Sequence, residues 1–338
     1  MEYRNLGNTD VKVSIVGLGG DTFGHYVDEL GTAAIVNQAV ESGINFIDTS
    51  DVYGYGHSEE LIGKAIKDKR SKVIVATKFG ITLGKPPHPF DTPPGLGAPE
   101  YIRKAVDASL KRLETDYIDL YQFHMPDPTT SIEETLHTLD EIVKSGKVRY
   151  IGCSNFASWE LCEALWVSKT AGISSFVSVQ PKYNLLDRYI EQEMVPCCQA
   201  YGVSVIPWFP LAAGFLTGKY RRGQKPPEGT RFGSNPEFYT RAITDEQFDI
   251  LEKLEAFAEN RGHTMAELAI AWLTSHPWMG PVIAGATKTE QVAANAKAAD
   301  WVLSAEDMAQ LDKEIGYEMY SLRPEIYRRW GLPKSYGG

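Results

Sequence analysis

The sequence predicts an α/β protein built as a closed (β/α)8 (TIM) barrel, and two observations carry that prediction. Eight short apolar, β-prone runs alternate with eight amphipathic stretches of helical period, each pair filling about thirty residues. Nearly every run ends on a polar residue or glycine, as strands meeting at one functional rim would. Eight units favour closure, because an open doubly wound sheet usually stops at about five to seven strands.

In chain order, Tyr3 to Ser14 reads as a β-hairpin around Asn8-Thr9, serving as a lid or floor rather than a core strand. The strand runs are Ile15–Leu18, Phe46–Asp48, Val73–Thr77, Ile118–Phe123, Tyr150–Cys153, Phe176–Gln180, Val203–Pro207 and Pro281–Ala284. The helical stretches are Ala33–Glu41, Ser58–Asp68, Pro99–Leu113, Ile132–Ser145, Trp159–Thr170, Tyr189–Tyr201, Met265–Ser275 and Thr289–Ala296. A further helix, Thr244–Asn260, is expected outside the barrel. Three stretches exceed ordinary loop length: Phe79–Ala98, Trp208 to Ile243, and the tail after Ile315 with Tyr320, Tyr327 and Trp330. On a barrel's C-terminal face such loops shape a substrate pocket. One domain is expected: hairpin 3–14, barrel 15–298, then a C-terminal helix and tail, 299–338.

Composition narrows the function. The chain has 338 residues, 43% hydrophobic and 23% charged, which is ample for a full core. Its net charge of −10, from 34 Lys+Arg against 44 Asp+Glu, disfavours nucleic acid or an acidic membrane as partner. The opening residues resemble no signal peptide, and no apolar run reaches spanning length. The four cysteines, Cys153, Cys162, Cys197 and Cys198, lack zinc or redox spacing, and the seven histidines lack ligand spacing. The expectation is a protein of the reducing cytoplasm, without a structural metal and with oligomerisation left open.

Chemistry concentrates around NFIDTSDVYGYGHSE, Asn45 to Glu59. A short buried strand delivers Asp48 to a loop, and Tyr53 follows five residues later. Closure would bring Lys78 and His124, from two other strand ends, to the same rim. A phenol is a poor acid at neutral pH, and a neighbouring ammonium lowers its pKa and eases proton release. Asp48 would hold Lys78 in place, and His124 would donate to a substrate carbonyl oxygen or help move the proton. The remaining strand ends supply Gly20-Asp21, Ser154-Asn155, Gln180, Trp208 and Gly285-Ala286-Thr287. GLGGDTFG at Gly17–Gly24 nearly spells a dinucleotide fingerprint, but Thr22 replaces its third glycine, so a Rossmann site is rejected.

The words GINFIDTSDVYGYGHSEELIG, VIVATKFG, DYIDLYQFHMPD, VRYIGCSNF, VQPKYN and IAGATKTEQVAANAKA, in this order, make the chain resemble the aldo-keto reductase superfamily from Arg4 to about Ala298. The resemblance implies reversible NADPH-dependent reduction of an aldehyde or ketone, with Asp48, Tyr53, Lys78 and His124 as the catalytic tetrad. It places Ser154, Asn155 and Gln180 on the nicotinamide carboxamide and Trp208 against the nicotinamide ring. Gly20 and Asp21 fall close to the ring and pyrophosphate. Phe209, Pro210, Leu211, Ala212, Gly214, Lys219 and Arg231 match a loop folded over the pyrophosphate. Gly285, Thr287, Lys288, Gln291 and Asn295 match the adenosine end, where Lys288 and Thr287 suit a 2′-phosphate and so NADP(H) over NADH. Departures are Phe209, which removes a hydroxyl, Ala294 in place of an acidic residue, and Asp21 itself.

Two other functions compete. Trp208 and the word PLAAGFLTGKY are similar to potassium-channel β-subunits, implying an NADPH-binding regulatory subunit, although those proteins carry an amide where this chain has His124. A class I aldolase using Lys78 as an amine would need that lysine desolvated and uncharged, which Asp48 opposes.

Overall fold

The computed structural model describes residues 1–81, 95–230, 232–234 and 243–316. A hairpin of β1 (Tyr3–Asn5) and β2 (Lys12–Ser14) opens the chain, with Tyr3 opposite Ser14. The barrel strands follow: β3 (Val16–Gly19), β4 (Phe46–Asp48), β5 (Ile74–Phe79), β6 (Ile118–Phe123), β7 (Val148–Ser154), β8 (Phe176–Gln180), β9 (Ser204–Val205) and β10 (Val282–Gly285). All eight are parallel, in the order β10-β3-β4-β5-β6-β7-β8-β9. The two ends of that order meet: the Gly280 amide donates to the Val205 carbonyl (2.8 Å) and the Ile283 amide to Pro207 (3.3 Å), closing the cylinder.

Around it lie α1 (Glu29–Glu41), α2 (His57–Ile66), α3 (Pro99–Arg112), α4 (Ile132–Lys144), α5 (Ser158–Ala171), α6 (Met194–Tyr201), α7 (Asp245–Glu259), α8 (Met265–Thr274), α9 (Thr289–Ala298) and α10 (Ala305–Glu314). Among the described residues, none of these helices is long and apolar enough to cross a membrane. The main core fills the layer between strands and helices. A smaller core occupies the lower barrel, where Leu6 and Val13 of the hairpin meet Phe46, Ala76, Leu120, Val177, Ile206 and Ile283. The hairpin is therefore a floor, tied down where the Ser14 amide donates to Asn45 Oδ1 at 2.7 Å.

Most element ends shift by one or two residues from the sequence expectation, and three elements differ for a physical reason. Helix α1 starts at Glu29 rather than Ala33, because Asp28 caps it by accepting from the Gly31 amide. Helix α6 starts at Met194, not Tyr189: Pro196 lacks an N–H and is accommodated only in a first turn, so the helix begins just before it. Residues 189–191 form a separate 3₁₀ turn. Strand β9 is only two residues long, its continuation Pro207 having no amide to give to a ladder. Arg231, most of Phe79–Ala98, residues 235–242 of the second long stretch and the aromatic tail lie outside the described residues.

Close packing of α2 against the end of α3 fixes the loop that carries Tyr53. A Cβ added at Gly63 would lie 2.5 Å from the Leu113 carbonyl oxygen, which is backbone and cannot move aside cheaply. Gly63→Ala is expected to destabilise the fold by about 1–3 kcal/mol, measured by urea unfolding.

Candidate active site

The strand ends deliver the site. Asp48 is the last residue of β4 and Lys78 lies one residue before the end of β5, while His124 follows β6 directly. Tyr53 opens a 3₁₀ turn, Tyr53–Gly56, in which Gly54, Tyr55 and Gly56 have φ of 56°, 58° and 90°. This left-handed run turns the chain sharply back, and the two glycines adopt it without a Cβ penalty. Buried Glu59 anchors the turn from below: its Oε1 accepts from the Thr77 hydroxyl and its Oε2 from Arg112 Nε, both at 2.6 Å.

Lys78 has no exposure at all. Its ammonium donates to Asp48 Oδ1 (2.6 Å), the Thr49 carbonyl (2.8 Å) and the Tyr53 hydroxyl (3.3 Å), which uses its three protons. The other carboxylate oxygen of Asp48 accepts from Gln122 Nε2 (3.1 Å) and Gln180 Nε2 (2.9 Å). Burial works against the charge on Lys78, but the Asp48 carboxylate and the Tyr53 phenol outweigh it, and the net shift is upward. Lys78 therefore stays an ammonium, which is what Schiff-base chemistry would not want.

For Tyr53 the direction differs from the sequence expectation. Burial raises its pKa above the ordinary phenol value, more than the Lys78 ammonium pulls it down; Asp48 and Asp21 add to the rise. The physical reason is that removing a phenolate from water costs more than one shared cation returns. At neutral pH Tyr53 is accordingly a protonated phenol, in the form that donates.

His124 stands edge-on to Tyr53, ring centroids 6.3 Å apart at 85°. Burial, then repulsion from Lys78, holds its pKa well below the usual value, so the imidazole is neutral. Its Nδ1 lies 3.3 Å from the Ser50 hydroxyl. Behind it, Asn155 donates to the His124 carbonyl (3.0 Å) and to Ser154 Oγ (3.1 Å), and accepts from Trp208 Nε1 (3.2 Å). Ser154 in turn donates to the Gln180 carbonyl at 2.8 Å. The strand ends of β7, β8 and β9 are thus one network.

The rest of the rim follows. Gly20 donates its amide to the Asp48 carbonyl at 2.8 Å, and Asp21 lies where a side chain on Gly285 would meet its Oδ1 at 3.4 Å. Trp208 and Phe209 are half-buried, with ring centroids 5.2 Å apart, and Pro210 is buried beside half-buried Leu211. Phe209, Ala212, Ala213 and Gly214 all have positive φ. Exposed Lys219 folds back over Gly214, its Nζ 2.7 Å from where a Cβ would stand. Thr287 and Lys288 are exposed ahead of α9, and Gln291 Oε1 accepts from both their amides (2.7 and 3.2 Å). Asn295 is buried on the same helix.

Sequence reasoning missed Gln122 and Ser50. Gln122 was the visible signal, a polar residue inside an apolar strand run, but nothing in its spacing named Asp48 as its partner. Ser50 looked like loop polarity.

A sequence profile of the aldo/keto reductase family matches residues 15–315. Among curated relatives, a probable voltage-gated potassium channel subunit beta from Oryza sativa subsp. japonica is 35% identical over 307 residues, covering 89% of this chain and 92% of that protein. Versiconal hemiacetal acetate reductase from Aspergillus parasiticus is 37% identical, covering 85% and 90%. The aldo-keto reductase YhdN from Bacillus subtilis is 33% identical, covering 92% and 93%. A profile that spans most of the chain, on a barrel whose rim gathers Asp48, Tyr53, Lys78 and His124, settles the kinship: the chain belongs to the aldo/keto reductase family of oxidoreductases.

Proposed function

We propose that the protein reduces an aldehyde or ketone to the alcohol, reversibly, with NADPH as the reductant and Tyr53 as the proton donor. The observation that carries this reading is the Lys78 ammonium held between the Asp48 carboxylate and the Tyr53 hydroxyl, at 2.6 and 3.3 Å. A nicotinamide cofactor supplies a hydride when bound. The chain's own residues do the rest. Tyr53 gives its proton to the oxygen of the carbonyl, and Lys78 stabilises the phenolate left behind. Asp48 keeps Lys78 charged and fixed, and neutral His124 adds a hydrogen bond to the same oxygen.

The residues present fit such a cofactor. Asn155 Oδ1 accepts from the indole Nε1 of Trp208, and its side-chain amide donates to Ser154 Oγ, which in turn donates to the Gln180 carbonyl, so hydroxyl and amide groups suited to an amide ligand stand beside a flat ring. Lys288 and Thr287 stand exposed at the N-terminus of α9, a place that favours a phosphate. Lys288→Ala is expected to weaken NADPH binding about tenfold while leaving NADH nearly unchanged, read by quenching of tryptophan fluorescence.

The direct test is NADPH oxidation over a chemically diverse carbonyl panel, repeated with NADH. A second reading has one observation in its favour, the relatives named as potassium channel subunits beta. Binding of NADPH with no turnover across the panel, together with co-purification of a channel, would support that regulatory role instead.

A further inference from the structure

Beside the tetrad lies a carboxyl that its chemistry does not use. Asp51 is half-buried in the loop between Asp48 and Tyr53, its amide donating to the Lys78 carbonyl at 3.2 Å. The Ser50 hydroxyl donates to Asp51 Oδ1 at 3.1 Å and lies 3.3 Å from His124 Nδ1. The Val52 amide reaches the same Ser50 oxygen at 3.4 Å. Three groups thus stand in line: carboxyl, hydroxyl, imidazole. The far nitrogen, His124 Nε2, has no hydrogen-bond partner among the described residues, and His124 keeps partial exposure.

We propose that Asp51, Ser50 and His124 form a proton relay from a half-buried carboxyl to the barrel mouth, in which Asp51 and Ser50 are positioning residues that select the tautomer His124 presents. That the recipient at the mouth is a carbonyl oxygen rests on the function proposed above; the relay itself rests on the hydrogen bonds.

The argument follows from counting protons. A hydroxyl has one proton and two lone pairs. With Asp51 ionised, Ser50 must give its proton to the carboxylate, so its oxygen accepts from the Val52 amide and from His124 Nδ1–H. Nε2 then carries no proton and can only accept. With Asp51 protonated, the direction reverses: the carboxyl donates to Ser50, Ser50 donates to Nδ1, and the imidazole proton resides on Nε2, ready to donate to a substrate oxygen. In both states the Ser50 hydroxyl and His124 Nδ1 keep a donor matched to an acceptor.

Interconversion is balanced. A proton taken up at Nε2 from the mouth is matched by transfer of the Nδ1 proton to Ser50 and of the Ser50 proton to Asp51; no electron moves. The groups facing Asp51 are Glu59 on α2, Arg112 and Tyr101 on α3, Lys78 on β5 and Tyr121 on β6. Burial, then the Glu59 carboxylate, raises the Asp51 pKa to about 7, against the pull of Ser50, Arg112 and Lys78. His124 itself faces Lys78 and Tyr53, and its own protonation lies well below that range. The switch therefore turns near neutrality through Asp51, not through the imidazole.

The test uses the full chain with ¹⁵N-labelled histidine, without cofactor, from about pH 5.5 to about pH 8.5, with His124→Gln to assign the signal. His124 is expected to pass from the Nε2–H to the Nδ1–H tautomer as pH rises through about 7. Ser50→Ala and Asp51→Asn should each hold one tautomer over the whole range, while Ser50→Thr, which keeps the hydroxyl, should retain the change. A tautomer that stays constant in the unaltered protein, or changes equally in Ser50→Ala, overturns the relay. Thermal melts of the variants confirm that they are folded.

In turnover, kcat for carbonyl reduction should fall roughly tenfold as Asp51 ionises, and this limb of the pH profile should vanish in Ser50→Ala and Asp51→Asn. A persisting limb in both variants also overturns the proposal. If no carbonyl is reduced by the unaltered protein, the proposed function fails, and the tautomer measurement still decides the relay.

Discussion

Tyr53→Phe is expected to lower kcat for carbonyl reduction by about 10²–10⁴-fold while leaving NADPH affinity within about twofold. The substitution deletes one oxygen and keeps the ring, so the edge-on contact with His124 and the cation–π contact with Lys78, 4.8 Å from the ring centre, remain. The missing group is the one whose proton is held in donating form by burial. Lys78 keeps Asp48 and the Thr49 carbonyl as acceptors, so the fold should lose little. Single-turnover rates and fluorescence titration separate the two effects. Turnover equal to that of the unaltered protein would falsify the assignment of Tyr53 as donor.

Asp48→Ala is expected to have the largest effect on stability. It strands a fully buried ammonium whose principal partner, at 2.6 Å, is gone, and it removes the acceptor of both Gln122 and Gln180. Breaking a buried pair on one side costs about 3–5 kcal/mol, because the remaining charge has neither water nor partner. Urea unfolding should show a lower midpoint with an unchanged slope. Lys78 should also lose its proton more readily, taking activity with it. An unchanged midpoint would mean that water reaches Lys78 and that the pair is not as enclosed as its geometry indicates.

The barrel was legible because strand runs and helix periods alternate without ambiguity, and because Asp48, Lys78 and His124 all stand at the ends of apolar runs. Barrel closure turns that shared position into proximity. What escaped was set by packing. The first turn of α1 was masked by exposed Leu30 and by Gly31, which interrupt the amphipathic pattern. The pKa of Tyr53 depends on how completely the loop encloses it, and the identity of its neighbours does not state that. Gln122 serves Asp48 from 74 positions along the chain, a pairing that no local spacing encodes. Ser50 and Asp51 read as ordinary turn formers because sequence shows adjacency, not the direction in which a hydroxyl points.

The hairpin completes the packed interior of the lower barrel, with Leu6 and Val13 set against Phe46, Ala76 and Leu120, so side chains close the approach to Lys78 from below. Under the proposed function, hydride donor and acceptor would therefore have to enter and leave over the same strand-end rim.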